Sequence, residues 1–278
     1  MGCRKLADAN GGTGSVSARQ ARTGKVLCSA CVSLLLTISF AQATDFSAEQ
    51  VRAILAAAAP DKVVDLSGKD LENLDLSNVD FKRANLSAAN LFGAKLDSAN
   101  LSGTNLSAAR LDLAWIMRAD FTNADLSRAS LLGLVVSSGL GFSPGEAPVF
   151  SGANFSGARI VARLNRLDLR GANFTEAKLG ADMKNQSMGL MRTDLSGADL
   201  SGANFSKADL SRALMRFANL TGANLVGAQL SGADLSGADL TGADLAGAYA
   251  IDADFGGATL INVRGLDTLK GSNLPARP

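Results

Sequence analysis

The residues that most enzymes use for acid–base or nucleophilic chemistry are scarce in this sequence. It contains no histidine, and its three cysteines, Cys3, Cys28 and Cys31, all lie near the N-terminus. Histidine is the commonest general base and cysteine the commonest thiol nucleophile. Serine and threonine are abundant but recur at one fixed place in a repeat, and neither a G-x-x-x-x-G-K-S/T nor a G-x-G-x-x-G loop is present. We therefore expect a protein that is not an enzyme and takes no cofactor.

Aspartate is the remaining residue type with potential chemistry, and its spacing predicts rows of carboxylates. Asp234 and Asp254 are 20 residues apart, as are successive members of the set Asp199, Asn219 and Asp239. Clustered oxygen ligands suit hard cations such as Ca²⁺. Aspartate and asparagine also suit tight turns, and the Ca²⁺-binding G-G-x-G-x-D nonapeptide is absent. We favour solvated acidic rows over a metal site.

The elements that position these side chains follow from a repeat of five residues. From Leu195 to Leu260 every fifth residue is Leu, Phe or Met, except Ala250, and Ala stands two places before nearly every one. Five matches neither the helical period nor the alternation of a strand. A chain that turns a corner every five residues, with four sides to a coil, would point both residues inward. Ala is needed there because a second Leu would overfill the interior.

The repeated motif is A-D/N-L-S/T-G, as at Ala198–Gly202, Ala233–Gly237 and Ala238–Gly242. It resembles the pentapeptide-repeat family over about 66–131 and 148–262. That resemblance implies an all-β fold, a right-handed quadrilateral β-helix. The 37 pentads of the sequence then predict about nine coils, stacked roughly 4.8 Å apart. The core residues that we expect include Leu66, Leu86, Leu106, Phe155, Phe174, Leu200, Leu220, Leu240 and Leu260.

The N-terminal residues 1–43 have the pattern of a signal peptide. Basic residues precede an apolar stretch at Val26–Phe40, and Ala41-Gln42-Ala43 matches an A-x-A cleavage site. We expect cleavage after Ala43 and export to the bacterial periplasm or the extracellular space. An uncleaved anchor is the alternative, but the apolar run is short for a spanning helix. Cleavage would leave 22 basic and 25 acidic residues, a net charge of −3, and neither cysteine nor a transmembrane segment.

The mature chain divides by the regularity of its repeat. Residues 44–62 include a capping box, Ser47 to Gln50, that predicts a helix at about Ala48–Ala59 covering the first coil. The pattern predicts a first repeat block at 63–131, a second at 148–262, and a C-terminal cap and tail at 263–278.

The repeat is interrupted between the blocks and again within the second block. Residues 132–147 break the period, and the 19 residues from Leu131 to Phe150 are one short of a coil. We favour a degenerate coil there over an irregular loop that packs on the wall or contacts a partner. The central residues of the pentads also shift at Leu164, Met183 and Leu190 with no net displacement.

The charged and aromatic residues suggest a binding surface. Residues 159–192 hold seven basic residues against three acidic ones, whereas residues 193–260 hold eight Asp against three basic residues. The only Trp and the only Tyr both stand in outward positions. Exposed Trp, Tyr and Arg are the residue types enriched at binding hot spots. The partner surface that we predict comprises Arg110, Trp115, Arg118, Arg192, Arg212 and Tyr249.

Two functions fit these features. The first is a non-enzymatic, exported solenoid that binds another protein or serves as a structural scaffold, with homo-oligomerisation left open. The family resemblance implies the second, a DNA-mimicking inhibitor of DNA gyrase that confers quinolone resistance. A DNA mimic needs a cytoplasmic location and a strongly acidic surface, and the export signal and the charge of −3 oppose both. Nucleic acid is not expected as a partner, because the basic residues lack interleaved aromatics.

Overall fold

The computed structural model describes residues 45–59, 61–81, 83–139, 143–181 and 192–271. The predicted signal peptide, 1–43, lies outside them. The named elements are helix α1 (Ala48–Ala57), strand β1 (Ser130–Leu132), a 3₁₀ turn (Pro144–Glu146) and strand β2 (Arg159–Val161). β1 and β2 pair in parallel. No helix in these ranges is long and apolar enough to cross a membrane.

Most of the chain forms coils that stack through isolated parallel bridges. Asp65, Asp70, Asp75 and Asp80 each pair with the residue 20 places later, and so do most of their successors. The bridged residues therefore form four columns along the stack. We call these the first, second, third and fourth columns, which begin at Asp65, Asp70, Asp75 and Asp80 in that order. The first column runs from Asp65 to Arg264, and the second runs from Asp70 to Lys270. The period of five thus places four pentads in each regular coil.

Each side is built from one pentad, as the one around Leu200 illustrates. Leu200 and Ala198 are both fully buried, so both inward positions are filled. Asp199 faces outward, and its Oδ1 accepts the N–H of Ser201 at 3.1 Å. Gly202 has φ 66°, and the next residue's N–H donates back to the Leu200 carbonyl. A tight turn of this kind needs a residue with positive φ, and Gly and Asn adopt that conformation with the smallest cost in free energy.

The core is continuous from the first coils to the last ones. Phe155 and Phe174 stack with ring centroids 4.8 Å apart, and Phe174 stacks on Phe205 at 4.6 Å. Thr104 takes the place of an inward Ala, and its buried hydroxyl has no hydrogen-bond partner within the described ranges. Of the expected core residues, Leu260 is only partly buried, whereas the others are buried: Leu66, Leu86, Leu106, Phe155, Phe174, Leu200, Leu220 and Leu240.

Helix α1 packs on the N-terminal end of the stack. Ser47 and Gln50 form the predicted capping box, in which each side chain accepts the other residue's backbone N–H. Val51 and Leu55 are buried within the same cluster as the first coil residues. The helix ends at Ala57, two residues earlier than predicted.

Residues 132–147 do not form a separate coil. Asp125 pairs with Asn154 and Ser130 with Arg159, so one coil spans 29 residues instead of 20. Val135 continues the third column, and Val149 continues the fourth. The favoured degenerate coil is therefore wrong, because the additional residues form an excursion from a single side.

The second block contains a short coil and a longer one. Arg159 and Arg163 lie on adjacent columns but are only four residues apart, so the predicted shift at Leu164 shortens one side by one residue. As a result, Asn154 pairs with Asn173 at a separation of 19 residues instead of 20. The next coil is longer, since Thr175 contacts Ser206 across 31 residues. The predicted shifts at Met183 and Leu190 lie outside the described residues. The bridges continue to Lys270, beyond the predicted end of the block at 262.

Candidate functional site

The six residues predicted to share a partner surface lie at three separate places. Arg110 and Tyr249 occupy the same column but stand six coils apart, about 29 Å at the usual strand spacing. Arg192 and Arg212 lie at a corner between the second and third columns. The structure therefore brings together Arg110, Trp115 and Arg118 on one coil, and Arg192 with Arg212 on later coils.

The first group surrounds the tryptophan, and with Leu113 we name it the tryptophan surface: Arg110, Leu113, Trp115 and Arg118. Trp115 bridges Lys95 and Val135 through its backbone, which places its side chain on the outer wall. It is 41% exposed, and Leu113 at the neighbouring corner is 49% exposed. Leu113 was not among the predicted surface residues, although the five-residue period alone places it at a corner.

The two arginines of the tryptophan surface are held in place. The Arg110 guanidinium lies 4.2 Å from the centroid of the Phe92 ring, and its Nε is 3.1 Å from Asp112 Oδ2. Arg118 Nε donates to Ser98 Oγ at 2.9 Å. Side chains fixed in this way lose less conformational entropy when a partner binds.

The excursion described above borders the same surface. The Arg118 N–H donates to the carbonyl of Glu146 at 2.8 Å, and Met117 beside it is buried. The Glu146 carboxylate accepts hydrogen bonds from both Ser137 and Ser138. These bonds, led by the Ser138 hydroxyl, hold the pKa of Glu146 below its usual value, so the carboxylate that ties the excursion stays ionised.

The second group lines a depression of about 400 Å³, which we name the arginine depression: Arg192, Arg212, Ser231, Gly232, Ile251 and Asp252. The bridges from Asp194 to Leu214 and onward set these residues in register, so Arg212, Gly232 and Asp252 hold one corner in successive coils, and Arg192 lies on the coil before them. Gly232 has no side chain, so it leaves a gap between Arg212 and Asp252. Sequence reasoning found the arginines but missed the other four residues, which the 20-residue spacing could have identified.

Gly232 also determines where the Arg212 side chain lies. Arg212 has φ 62°, and its stem runs along the stack over the next coil, where a Cβ on residue 232 would be 3.3 Å from its Cγ. Phe217 lies over Gly237 in the same manner. Long corner side chains thus depend on a small residue one coil later.

Tyr249 belongs to neither group. Lys270 Nζ lies 4.4 Å from the centroid of its ring and donates to its hydroxyl at 3.1 Å. Tyr249 is therefore tied to the last described residues of the stack.

A family model describes the repeats of this chain. The model of pentapeptide repeats matches eight copies, at 64–93, 89–133, 193–229 and 228–264, together just over half of the chain. The chain belongs to the pentapeptide-repeat family. This confirms the resemblance seen in the motif, and no curated protein sequence matches the chain.

Solved structures of other pentapeptide-repeat proteins are also similar. HetL from the cyanobacterium Nostoc sp. strain PCC 7120, involved in regulation of heterocyst differentiation, is 27% identical, with 84% of this chain and all of HetL covered and a TM-score of 0.41. Rfr23 from the cyanobacterium Cyanothece 51142 is 30% identical over 40% of this chain and 60% of its own, with a TM-score of 0.26. QnrB1, a plasmid-mediated fluoroquinolone resistance protein, is 18% identical over 76% of this chain and 92% of its own, with a TM-score of 0.31.

The aspartate rows of this pentapeptide-repeat stack are used in its turns. Asp234 and Asp254 are bridged neighbours, and each Oδ1 accepts the N–H two residues later. Asp239 Oδ1 accepts from Thr241, whose hydroxyl and N–H hold the pKa of that carboxyl below its usual value. Within the described ranges, no group of three or more metal-ligating side chains is present. Turn formation accounts for the positions of these carboxylates.

Proposed function

We propose that this chain is a non-enzymatic, exported scaffold that binds another protein, built as a right-handed, four-sided β-helix. Membership of a repeat family and the scarcity of catalytic residue types support this role. The observation that carries it is the tryptophan surface, in which exposed Leu113 and Trp115 stand between two restrained arginines on one coil.

Physical reasons favour a protein as the partner. Tryptophan and arginine contribute disproportionately to protein interfaces because they combine large contact areas with directional hydrogen bonds. A stacked solenoid offers a rigid wall, so little ordering is needed on binding. The DNA-mimic alternative is less well supported, since carboxylates such as Asp168 are neutralised locally: Arg170 lies 2.7 Å from it.

Substitution of the tryptophan tests the binding role. We expect Trp115→Ala to weaken partner capture by about 30-fold, the effect of a hot-spot residue of about 2 kcal/mol, and to leave the melting curve unchanged. Partners are identified by cross-linking and mass spectrometry in envelope extracts of the native host. Phe217→Ala is the matched control, because Phe217 is 74% exposed and lies on a different coil. Equal capture by the wild type and Trp115→Ala would contradict the proposal.

Export and the alternative function are tested separately. Fractionation of cells that express the chain from its first Met, with intact mass measurement, should yield a periplasmic product that begins at Thr44. A full-length cytosolic product would overturn export. Inhibition of DNA supercoiling by purified gyrase would then be the next assay, and inhibition there would favour the DNA mimic over the scaffold.

A further inference from the structure

We propose that the arginine depression binds the carboxylate of an acidic side chain within an apolar peptide segment of the partner. This deepens the protein-binding role, because it assigns a chemistry to a second surface, distinct from the tryptophan surface.

The two arginines of the depression are unpaired. Within the described part of the chain, neither the Arg192 nor the Arg212 side chain makes a hydrogen bond or an ion pair, whereas the side chains of Arg170, Arg216 and Arg264 each contact an aspartate. Arg192 precedes Asp194 by two residues and Arg212 precedes Leu214 by two residues, and Asp194 and Leu214 are bridged neighbours, so the two arginines lie on adjacent coils. Two cations at that spacing repel each other, so an anion placed beside both would be attracted by both.

The shape of the corner presents at least one guanidinium to a ligand. The stem of Arg212 lies across Gly232, which restricts the directions open to the side chain and leads it into the gap. A guanidinium offers paired N–H donors that match the two oxygens of a carboxylate. Ser231 adds a hydroxyl to the lining, and a gap of about 400 Å³ is large enough for part of a peptide.

The remaining lining residues favour a peptide carboxylate over a phosphate. Ile251 is an exposed apolar side chain in the depression, and it offers contact to an apolar residue of the ligand. Asp252 lies at the far end of the same corner. Its negative charge disfavours a dianionic phosphate more than a monoanionic carboxylate.

The experiment is a titration of the whole protein with a defined probe, acetyl-Leu-Glu-Leu-amide, followed through the arginine Nε–Hε signals in NMR spectra. We expect saturable shifts of the Arg192 and Arg212 signals with a Kd of about 1 mM, typical of a small fragment. Acetyl-Leu-Gln-Leu-amide, which lacks the charge, should bind at least about tenfold more weakly, since hydrogen bonds between charged groups are the stronger ones.

Two variants assign the response to the depression. Arg212→Gln should raise the Kd of the acidic probe about tenfold or more. Arg128→Gln is the matched control, because Arg128 has φ 58° and lies over Gly157, but the same corner of the preceding coil carries Ala108 instead of a second arginine. It should leave the Kd unchanged. The backbone amide spectrum of each variant checks that the stack is intact.

Different results would overturn the assignment of the ligand and the existence of the site. Inorganic phosphate is titrated in parallel, and phosphate binding as strong as that of the acidic probe would overturn the assignment to a peptide carboxylate. Absence of a saturable shift up to about 10 mM probe, ten times the expected Kd, would overturn the site itself, as would an equal loss in Arg128→Gln. The titration uses no cellular partner, so its result is independent of the Trp115→Ala capture experiment.

Discussion

The two ends of the described stack are covered to different degrees. At the N-terminal end, α1 lies on the first coil, and Val51 and Leu55 are as buried as the core residues that they contact. At the C-terminal end, Phe255 and Leu260 are only partly buried, although both hold core positions. Nearby Ile251 and Ile261 are exposed. A repeating side cannot cover its own end, so the first coil relies on an element outside the repeat.

The largest effect that we expect follows from breaking the N-terminal cover. Leu55→Asp would bury an unpaired charge between α1 and the first coil and should destabilise that end by at least about 3 kcal/mol. Hydrogen exchange of the Leu66 and Gly68 amides reports this end directly. Ile54→Asp is the control, because Ile54 is exposed on the adjacent face of α1, and its effect should stay within about 1 kcal/mol. Equal effects would mean that α1 does not cover the stack.

Two variants with smaller expected effects on stability compare the interior of the stack with its C-terminal end. Leu240→Ala removes a fully buried side chain and should cost about 3 kcal/mol, whereas Leu260→Ala should cost about 1 kcal/mol because that side chain is partly solvated already. The free energy of unfolding in urea measures both. If the two variants cost the same, the end coil is as well packed as the interior in solution.

The helix cap gives a smaller effect that is confined to the N-terminal end. Ser47→Ala removes the acceptor of the Gln50 N–H and should destabilise α1 by about 1 kcal/mol. Amide exchange should quicken in α1 and the first coil but remain unchanged near Leu240. Faster exchange throughout the stack would show that the two ends unfold together.

Acidic pH should destabilise both ends of the stack, because each end contains an aspartate with a lowered pKa. Hydrogen bonds from Ser77 lower the pKa of Asp75 near the N-terminal end, and those from Thr241 lower the pKa of Asp239 toward the C-terminal end. Each carboxylate therefore contributes fully above the ordinary aspartate pKa of 3.8, and the contribution is lost as the pH falls through the lowered value. Melting temperatures should drop below about pH 4. Asp239→Asn should reduce that drop, and an unchanged acid profile would contradict the role of Asp239.

The regular part of the fold was predictable because each residue of a pentad has one local role. The large residue and the Ala fill the interior, and the polar residues make the turn, so the period alone predicted the coils and the buried side chains. The capping box at Ser47 and Gln50 was predictable for the same reason, since a capping box is a local pattern.

The irregular parts depend on which distant residues pair, and spacing alone does not determine that. The 19 residues between Leu131 and Phe150 nearly equal one coil, yet bridges at Val135 and Val149 put them on two columns of one coil. Thr104 and Thr193 both replace Ala, but only Thr193 finds an acceptor, the Ile160 carbonyl at 2.9 Å. The arginine depression required the 20-residue register to be applied to the corners as well as to the core.

The excursion after Val136 has a practical consequence for engineering. The chain leaves one side of a coil, adds nine residues, and returns at Val149, and the fourth, first and second columns then continue through Val149, Asn154 and Arg159. The columns are held coil to coil by their own bridges, so the length of that segment is decoupled from the rest of the stack. A foreign sequence grafted there would be displayed from a rigid wall without altering the order of the coils on either side.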